Sequence, residues 1–297
     1  MNVLVFGCNG QLGKCLQDLA INFERKHGFC FEFLDSKTGD ISNDQLVQQV
    51  VSNFSADIVI NAAAYTAVDK AETDIENAFA VNAKGPENIA KVCAKHDIPF
   101  IHVSTDYVFD GEATQPYQVN SLTNPQGVYG ESKLEGEEAI KQQIEKHVII
   151  RTAWVFSEYG NNFVKTMLRL ANERDELGIV VDQKGCPTYA GDLAMAILDI
   201  TLQIKLGNTH WGIYHYCGNN ETTWHGFACE IFSLGKTNGL LAKQPNANAI
   251  SSDAFPTPAK RPAYSVMDNG KILQHWHVDE CNWQAALQNV LNKLEQA

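Results

Sequence analysis

Short apolar runs alternate with amphipathic stretches through the first half of the chain. Residues 3–6 form an unbroken run of β-favouring apolar side chains, which predicts a strand buried on both faces of a parallel sheet. Similar runs return at residues 29–34, 57–60 and 100–103, and apolar residues repeat at helical spacing between them. Strands that alternate with helices in this way predict an α/β fold with a doubly wound, Rossmann-like parallel sheet.

Three glycines follow the first predicted strand directly. Gly7, Gly10 and Gly13 are spaced G-x-x-G-x-x-G, and the apolar repeat that begins at Leu12 predicts a helix starting inside this segment. Such a turn aims free backbone N–H groups and the positive end of the helix dipole at its occupant, typically a diphosphate. An ordinary strand–turn–helix also uses glycines, but at the start of a βαβ pattern we favour a dinucleotide site of the short-chain reductase kind.

The second predicted strand is followed directly by an acidic residue. Asp35 comes about twenty residues after the last motif glycine, where a carboxylate typically binds the ribose hydroxyls of NAD and repels a 2′-phosphate. Ser36 and Lys37 come next and could instead bind that phosphate. Both NADH and NADPH therefore stay open as the cofactor.

The next two segments carry weaker signals for the same ligand. Asp40 and Ile41 could flank an adenine, although Asp40 could serve only to stabilise the following helix. Ser42, with Gln45 three residues later, predicts a capping box at the start of that helix. The third strand runs into the small residues 62–64, which leave room for a ligand at the sheet edge or simply pack a tight corner.

The residues suited to proton transfer come after a polar loop. Tyr129 and Lys133 are four apart, so on a helix they share one face. A tyrosine has an unperturbed pKa of about 10, and a nearby cation lowers it by favouring the phenolate. A phenol tuned in this way can protonate a carbonyl oxygen as hydride reaches its carbon. Tyr-x-x-x-Lys pairs are common on helix surfaces, but the Thr105 hydroxyl at the end of the preceding strand and the glycine turn favour a catalytic site.

Composition restricts the partners. The 297 residues carry a formal net charge of −12 with a pI near 5.2, which argues against nucleic acid or an anionic membrane surface as a partner. No apolar run approaches the length of about 20 residues that spans a bilayer, and no basic segment precedes the first strand, so we expect no export signal and a cytoplasmic protein. Eight cysteines without a C-x-x-C pair are expected to be reduced thiols, mostly buried.

The alternation of strands and helices weakens in the second half of the chain. Proline and asparagine accumulate between residues 244 and 262, which predicts a loop-rich lobe over the cleft, where a substrate would be selected. We divide the chain into a dinucleotide-binding domain at 1–155 and a smaller substrate lobe at 156–297. Parts of this lobe are expected to be interleaved with the sheet.

These motifs together resemble the extended short-chain dehydrogenases/reductases that modify nucleotide sugars, and within them the dTDP-4-dehydrorhamnose reductase family. The segments Ser-Thr-Asp-Tyr-Val-Phe, Arg-Thr-Ala-Trp-Val and Pro-Thr-Pro-Ala-Lys-Arg-Pro are the most specific to this family. The resemblance covers nearly the whole chain, through residues 7–13, 61–64, 66–72, 104–109, 129–133, 151–155, 160–163, 182–188 and 256–262.

The resemblance implies an activity and a set of residues. The activity is NAD(P)H-dependent reduction of the C4 ketone of dTDP-4-dehydro-β-L-rhamnose to dTDP-β-L-rhamnose, for the synthesis of surface polysaccharide such as O antigen.

The resemblance also implies three catalytic residues. These are Tyr129 as the acid, Lys133 as the residue that adjusts the pKa of Tyr129 and anchors the cofactor, and Thr105 as the donor that polarises the ketone. The expected cofactor-binding residues, apart from Tyr129 and Lys133, are Gly7, Gly10, Gln11, Leu12, Gly13, Asp35, Asp40, Ile41, Ala63, Ala64, Tyr65 and Thr66. The expected substrate-binding residues are Thr105, Asp106, Trp154, Asn162 and Arg261.

Two of the substrate-binding residues have a physical reason of their own. An indole such as that of Trp154 can cover the apolar face of a deoxysugar, although a lone tryptophan is often simply a core residue. Arg261 is our hypothesis for a diphosphate clamp, because an acidic chain that holds a dianion needs a locally placed cation.

Two positions depart from the family pattern. Some relatives bind magnesium at a dimer contact through a carboxylate early in the first helix, where this chain has Lys14 and Cys15. We therefore expect no metal requirement, and either a monomer or a homodimer. Tyr65 stands where relatives often have histidine, which is expected to alter the cofactor contacts modestly.

Two rival functions remain open on the sequence. One is another nucleotide-sugar reductase, epimerase or dehydratase on the same scaffold, although a dehydratase would carry an additional acidic pair beside the catalytic threonine. The other is a non-catalytic NADP-binding regulator that resembles the regulatory β subunit of methionine adenosyltransferase. The presence of Thr105, Tyr129 and Lys133 together favours an enzyme.

Overall fold

The computed structural model describes residues 1–296. The strands are β1 (Asn2–Phe6), β2 (Cys30–Leu34), β3 (Ile58–Asn61), β4 (Phe100–Thr105), β5 (His147–Thr152), β6 (Val155–Phe156), β7 (Glu176–Val180), β8 (Lys184–Gly185), β9 (Thr188–Tyr189), β10 (Gly212–His215), β11 (Thr222–Thr223) and β12 (Asn246–Ile250). The α-helices are α1 (Gln11–His27), α2 (Asp44–Phe54), α3 (Val68–Ala71), α4 (Ile75–Phe79), α5 (Gly85–Lys95), α6 (Val128–Gln143), α7 (Phe163–Glu173), α8 (Ala190–Lys205), α9 (Trp224–Thr237), α10 (Gly270–Trp276) and α11 (Trp283–Glu295).

The central sheet has six parallel strands in the order β10-β5-β4-β3-β1-β2. From β1 the chain moves outward to β2 and then returns to place β3 on the other side of β1. Adjacent loops diverge at such a reversal and leave a crevice at the carboxyl ends of the strands, where doubly wound folds bind their ligands. The predicted doubly wound parallel sheet is confirmed.

Both faces of the sheet are buried, as the unbroken apolar runs predict. In β1, Val3 and Val5 pack into one hydrophobic cluster with α1 and α8, whereas Leu4 and Phe6 pack into a second cluster with α2 and α5. None of these four side chains is exposed to solvent. Burying a side chain of this size stabilises the fold by about 1.5–3 kcal/mol, so a polar replacement at any of these four positions would destabilise it.

The predicted cap of α2 is wrong by one residue. The Asn43 side chain, not that of Ser42, accepts a hydrogen bond from the N–H of Leu46 at 3.1 Å. Ser42 instead donates its hydroxyl to Asp40 at 2.7 Å. The two residues are equally good caps by type, so only the backbone geometry decides between them.

The helical stretch between β3 and β4 is not one continuous helix. It consists of α3, α4, a π-helical turn at Ala80–Lys84 and α5. A π-helical turn redirects side chains and often occurs at functional sites. Here it carries the buried Asn82, which hydrogen-bonds to residues at the cleft.

The second half of the chain forms three two-stranded pairs outside the main sheet, β6 with β9, β7 with β12, and β8 with β11. β12 occupies part of the stretch 244–262 that was expected to be mainly loop. β10 joins the main sheet beside β5, so this half contributes to both parts of the molecule. The domain boundary near residue 155 stays a prediction.

Within residues 1–296, none of the helices combines the length and the apolar character needed to cross a bilayer. All eight cysteines carry free thiols, and six of them are buried, whereas Cys30 is exposed and Cys229 is half-buried.

Candidate active site

A cavity of about 860 Å³ lies at the carboxyl edge of the main sheet. The loops after β1 to β5 and the first turns of α6 contribute its walls, which is where a doubly wound fold places its ligand. The sequence-predicted residues that line it are Gly7, Gly10, Gln11, Leu12, Asp35, Asp40, Ile41, Ala63, Ala64, Tyr65, Thr66, Thr105, Asp106, Tyr129, Lys133, Trp154 and Asn162. Gly13 and Arg261 are the two predicted site residues outside the lining.

The glycine turn is shaped by close contacts rather than by flexibility alone. Gly7 has φ +87°, and a Cβ there would lie 2.4 Å from the backbone nitrogen of Ala63 in the loop after β3. A Cβ on Gly13 would lie 2.3 Å from the Gly7 carbonyl oxygen, so Gly13 lets α1 pack against the turn instead of contacting a ligand. No side chain caps α1 at Gly10, which leaves the first-turn N–H groups available at the cavity wall. This cradle fits the diphosphate of a dinucleotide.

Asp35 places a negative charge at the cavity wall. Its Oδ1 accepts hydrogen bonds at 3.0 Å from the Thr38 N–H, the Thr38 hydroxyl and the Lys37 N–H. These hydrogen bonds, chiefly the two from Thr38, lower the pKa of the Asp35 carboxyl. The group is therefore ionised at neutral pH. Ser36 lines the cavity beside it, whereas the Lys37 side chain does not.

Tyr129 and Lys133 both reach the cavity from α6, as their spacing predicts. The Tyr129 ring packs edge-on against Tyr107, with ring centroids 5.3 Å apart. Desolvation in the cleft raises the pKa of Tyr129 above its usual value, and the Thr105 hydroxyl opposes this shift only in part. The expected lowering by Lys133 is not seen, because the Lys133 Nζ donates to the Val103 carbonyl at 2.7 Å and is itself desolvated.

The end of β4 presents polar atoms to the cavity. Thr105 donates its hydroxyl to Asp106 Oδ1 at 2.9 Å and accepts from the N–H of Tyr107. Burial raises the pKa of Asp106 to about 6.

Asp106 Oδ2, Ser104 Oγ and Thr152 Oγ1 are buried without a hydrogen-bond partner among the described residues. Since buried polar atoms are nearly always paired, this set suits a polar ligand. Sequence reasoning missed Ser104 and Thr152, although Ser104 is the last residue but one of β4 and Thr152 is the last residue of β5.

Trp154 lines the cavity in a conformation that depends on two neighbours. It has φ +49°, and its indole stacks on Trp224 with ring centroids 3.5 Å apart and planes 9° from parallel. Gly185 leaves room for the ring, because a Cβ there would lie 2.5 Å from it. One face of the indole is therefore covered by Trp224, and only the rest of the ring can contact a sugar.

The two remaining predicted substrate residues are engaged with the protein itself. Asn162 caps α7 and donates to Gln11 Oε1 at 2.9 Å, which links α7 to the start of α1. Arg261 donates to Asp69 at 2.6 Å and to the Tyr107 hydroxyl at 2.9 Å, beside the cavity. Their roles toward a substrate stay predictions.

Two buried contacts that the sequence pattern does not indicate hold the site together. Asn82 accepts from the Tyr65 N–H and donates to both the Tyr65 carbonyl and the Ser132 hydroxyl, at 2.9 to 3.1 Å. Glu137 accepts bidentate hydrogen bonds from Arg151, and the two side chains are at most 3% exposed.

Glu72, which is distant in the sequence, caps the first turn of α6. Its Oε1 accepts from the N–H of Val128, the first residue of α6, at 3.0 Å, and no local side chain caps this helix. A Cβ on Gly127 would lie 2.7 Å from the same oxygen, so the glycine admits the carboxylate. Tyr129 follows one residue later, and Glu72 therefore helps to fix its direction.

Among the 296 described residues, no group of three or more His, Cys, Asp or Glu side chains could hold a metal ion. The independence from metal that the sequence predicts stays a prediction.

Known proteins resemble this chain over nearly its full length. A family model described as the RmlD substrate binding domain matches residues 1–296. The dTDP-4-dehydrorhamnose reductase of Aggregatibacter actinomycetemcomitans is 42% identical, over 97% of this chain and 97% of that protein. Among solved structures, a dTDP-4-dehydrorhamnose reductase from Clostridium acetobutylicum has a TM-score of 0.90 and 36% identity, covering 99% of this chain and 100% of that one. Another from Bacillus anthracis, in complex with NADP, has a TM-score of 0.88 and 34% identity, covering 98% and 99%.

The contact between Glu72 and α6 can be tested by removing the acceptor. Glu72→Ala should lower the free energy of unfolding by about 1 kcal/mol, the usual effect of a lost helix cap, and should lower kcat because Tyr129 loses its fixed direction. Glu72→Gln keeps an acceptor oxygen and should lose less of both. Thermal unfolding and steady-state turnover measure the two effects.

Glu135→Ala is the matched control, because Glu135 is exposed in the middle of the same helix. If Glu72→Ala behaves like Glu135→Ala in both measurements, the distant cap is not a functional contact.

Proposed function

This chain belongs to the dTDP-4-dehydrorhamnose reductase family, and on that basis we propose that it reduces the C4 ketone of dTDP-4-dehydro-β-L-rhamnose to dTDP-β-L-rhamnose. The reductant is NADPH or NADH. The supporting observation is the meeting of Thr105, Tyr129 and Lys133 in one cavity with the glycine turn of β1 and α1. The product is a nucleotide-activated deoxysugar, which serves surface polysaccharide synthesis.

The nicotinamide cofactor supplies the hydride when bound. The first turn of α1 at Gly10, Gln11 and Leu12 would hold its diphosphate, because the N–H groups there are uncapped. Asp35 would accept from the adenosine ribose hydroxyls, and Lys133 would anchor the second ribose. The small residues 62–64 admit the dinucleotide across the sheet edge.

Tyr129 is the proton donor to the ketone oxygen. Its raised pKa keeps the phenol protonated at neutral pH, so the acid form is fully populated. General acid catalysis of this kind accelerates a reaction by about 10² to 10⁴-fold. Thr105 donates to Asp106, and it polarises a ketone by turning the same hydroxyl proton toward the substrate oxygen.

The substrate is held by residues on both sides of the cavity. Asp106 has a pKa of about 6, so it is mostly ionised at neutral pH, and its unpartnered Oδ2 can accept from a sugar hydroxyl. The uncovered part of the Trp154 indole offers an apolar contact to the deoxysugar. Asn162 and Arg261 complete the proposed set, with Arg261 as the cation for the diphosphate.

The rival functions receive less support. Thr105 is followed by a single carboxylate, that of Asp106, rather than by the acidic pair expected of a dehydratase. A non-catalytic regulator would not need a proton donor, a hydroxyl and a lysine in one cavity. We further propose a cytoplasmic enzyme without nucleic-acid or membrane partners, either a monomer or a homodimer.

Removing the proposed acid tests the function directly. Tyr129→Phe should lower kcat about a hundredfold or more, the scale of a lost general acid, with little change in cofactor affinity. Turnover is followed by the loss of reduced-nicotinamide absorbance with the ketosugar generated in place. Tyr214→Phe is the control, because the Tyr214 hydroxyl bonds to His210 outside the cavity. Near-normal turnover by Tyr129→Phe would remove this residue from the mechanism.

The charge on Asp35 predicts a shift in cofactor preference. Asp35→Asn removes a carboxylate that would repel a 2′-phosphate, so the ratio of kcat/KM for NADPH to that for NADH should rise about tenfold. The exposed Asp182 is also hydrogen-bonded in its ionised form, to Ser252, so Asp182→Asn serves as the control. An unchanged ratio would show that Asp35 does not contact the adenosine ribose.

The clamp role of Arg261 predicts a selective loss of substrate affinity. Arg261→Ala should raise KM for the nucleotide sugar about tenfold or more, because a charge-assisted contact to the diphosphate is lost. The KM for the cofactor should stay close to that of the wild type. Arg169→Ala, in an exposed pair with Glu173, is the control. If KM for the sugar nucleotide does not change, Arg261 only joins Asp69 to Tyr107.

A further inference from the structure

Tyr107 lies between two of the proposed catalytic residues and the segment that carries Arg261. It occupies a short 3₁₀ turn at Asp106–Val108, directly after β4, and it lines the cavity. Its main chain and its side chain each contact a different part of the site. The proposed mechanism gives this residue no role.

The main chain of Tyr107 is fixed against both β4 and α6. Its N–H donates to the Thr105 hydroxyl at 3.2 Å. Its carbonyl oxygen packs against α6, where a Cβ on Gly130 would lie only 2.2 Å away. Gly130 directly follows Tyr129, so the missing side chain lets the helix that carries the acid approach the end of β4. The position of the Tyr107 backbone is therefore well defined.

The side chain of Tyr107 makes a contact at each end. Its ring packs edge-on against Tyr129, with centroids 5.3 Å apart and planes at 77°, a favourable arrangement because a positive ring edge meets a negative ring face. Its hydroxyl accepts a hydrogen bond at 2.9 Å from Arg261 Nη1. Desolvation raises the pKa of Tyr107 to about 12, and Arg261 opposes this shift, so the hydroxyl is neutral at pH 7. One side chain thus contacts both the proposed acid and the proposed diphosphate clamp.

Arg261 is held from two sides. Its Nη2 donates to Asp69 Oδ2 at 2.6 Å, and the other oxygen of the same carboxylate accepts from the N–H of Ala259 at 3.3 Å. A guanidinium has five N–H donors, and the contacts with Asp69 and Tyr107 use two of them, which leaves three for a ligand. An arginine that is already oriented loses less rotamer freedom when it binds. The two contacts therefore favour the binding of an anion by Arg261.

We propose that Tyr107 is a positioning residue: its hydroxyl orients Arg261 toward the diphosphate of the substrate, and its ring orients the Tyr129 phenol toward the ketone. The inference rests on the proposed function, because it takes Arg261 as the clamp and Tyr129 as the acid. In a nucleotide sugar the reacting C4 lies across the ring from C1, which carries the diphosphate. The clamp and the acid must therefore keep a fixed separation, and a tyrosine with two rotatable torsions can set it.

The two ends of the Tyr107 side chain can be removed separately. Tyr107→Phe deletes the hydroxyl and keeps the ring, so KM for the nucleotide sugar should rise about fivefold while kcat stays within about twofold of the wild-type value. Tyr107→Leu also deletes the ring contact with Tyr129, so its kcat should be about tenfold or more below that of Tyr107→Phe. A residue that only supported the fold would lower the melting temperature without separating these two constants.

The affinity for thymidine 5′-diphosphate (dTDP), measured by calorimetry, tests the hydroxyl without turnover. Tyr107→Phe should raise the Kd for dTDP by about the same factor as it raises KM. In an Arg261→Ala background the same substitution should have no further effect, because the hydroxyl acts through Arg261. Tyr214→Phe is the control, since the Tyr214 hydroxyl donates to the His210 carbonyl outside the cavity.

Three results would overturn the inference. In the first, Tyr107→Phe changes neither KM for the nucleotide sugar nor the Kd for dTDP. In the second, it weakens dTDP binding equally in the Arg261→Ala background. In the third, a folded Tyr107→Leu keeps the kcat of Tyr107→Phe. If Tyr107→Leu does not fold, the first two comparisons decide. A wild-type protein that binds dTDP without reducing the ketosugar would refute the proposed function instead, and the calorimetry would still decide whether the hydroxyl orients Arg261.

Discussion

The buried ion pair between Glu137 and Arg151 is the contact on which the site depends. It joins α6 to β5 inside the protein, where a charge without its partner would destabilise the fold by about 3–5 kcal/mol. Tyr129 and Lys133 lie on the same helix within the two turns before Glu137. Since α6 is fixed to the sheet at this point and capped by Glu72 at its start, the Tyr129 phenol and the Lys133 side chain keep a set distance from the strand ends.

On the wall of the cavity opposite α6, a glycine without a side chain lets two backbone segments pack directly against each other. Gly7 contacts the loop after β3 so closely that a single added carbon would collide with the Ala63 backbone. The cofactor cradle and the loop after β3 are therefore one packed unit. This unit reaches Lys133 through the buried contacts of Asn61 with His102 and of His102 with Lys133, so both walls of the cavity meet at this side chain.

The pKa values of the titratable groups in this cavity are shifted more by burial than by the net charge of the chain. The chain is acidic overall, yet Asp106 and Tyr129 have raised pKa values because they are desolvated, and the pKa of Lys133 is lowered for the same reason. All three shifts favour the neutral form of each group. Such an environment suits a reaction in which a neutral ketone receives one proton and one hydride.

Local patterns in the sequence were sufficient for the fold class, the glycine turn and the shared helix face of Tyr129 and Lys133, because each of these follows from the spacing of neighbouring residues. Spacing says nothing about which distant side chains meet or how much water they lose. The cap from Glu72, the stacking of Trp224 on Trp154 and the charge state of Lys133 were therefore decided only by tertiary structure, since each depends on contacts between residues far apart in the chain and on their burial.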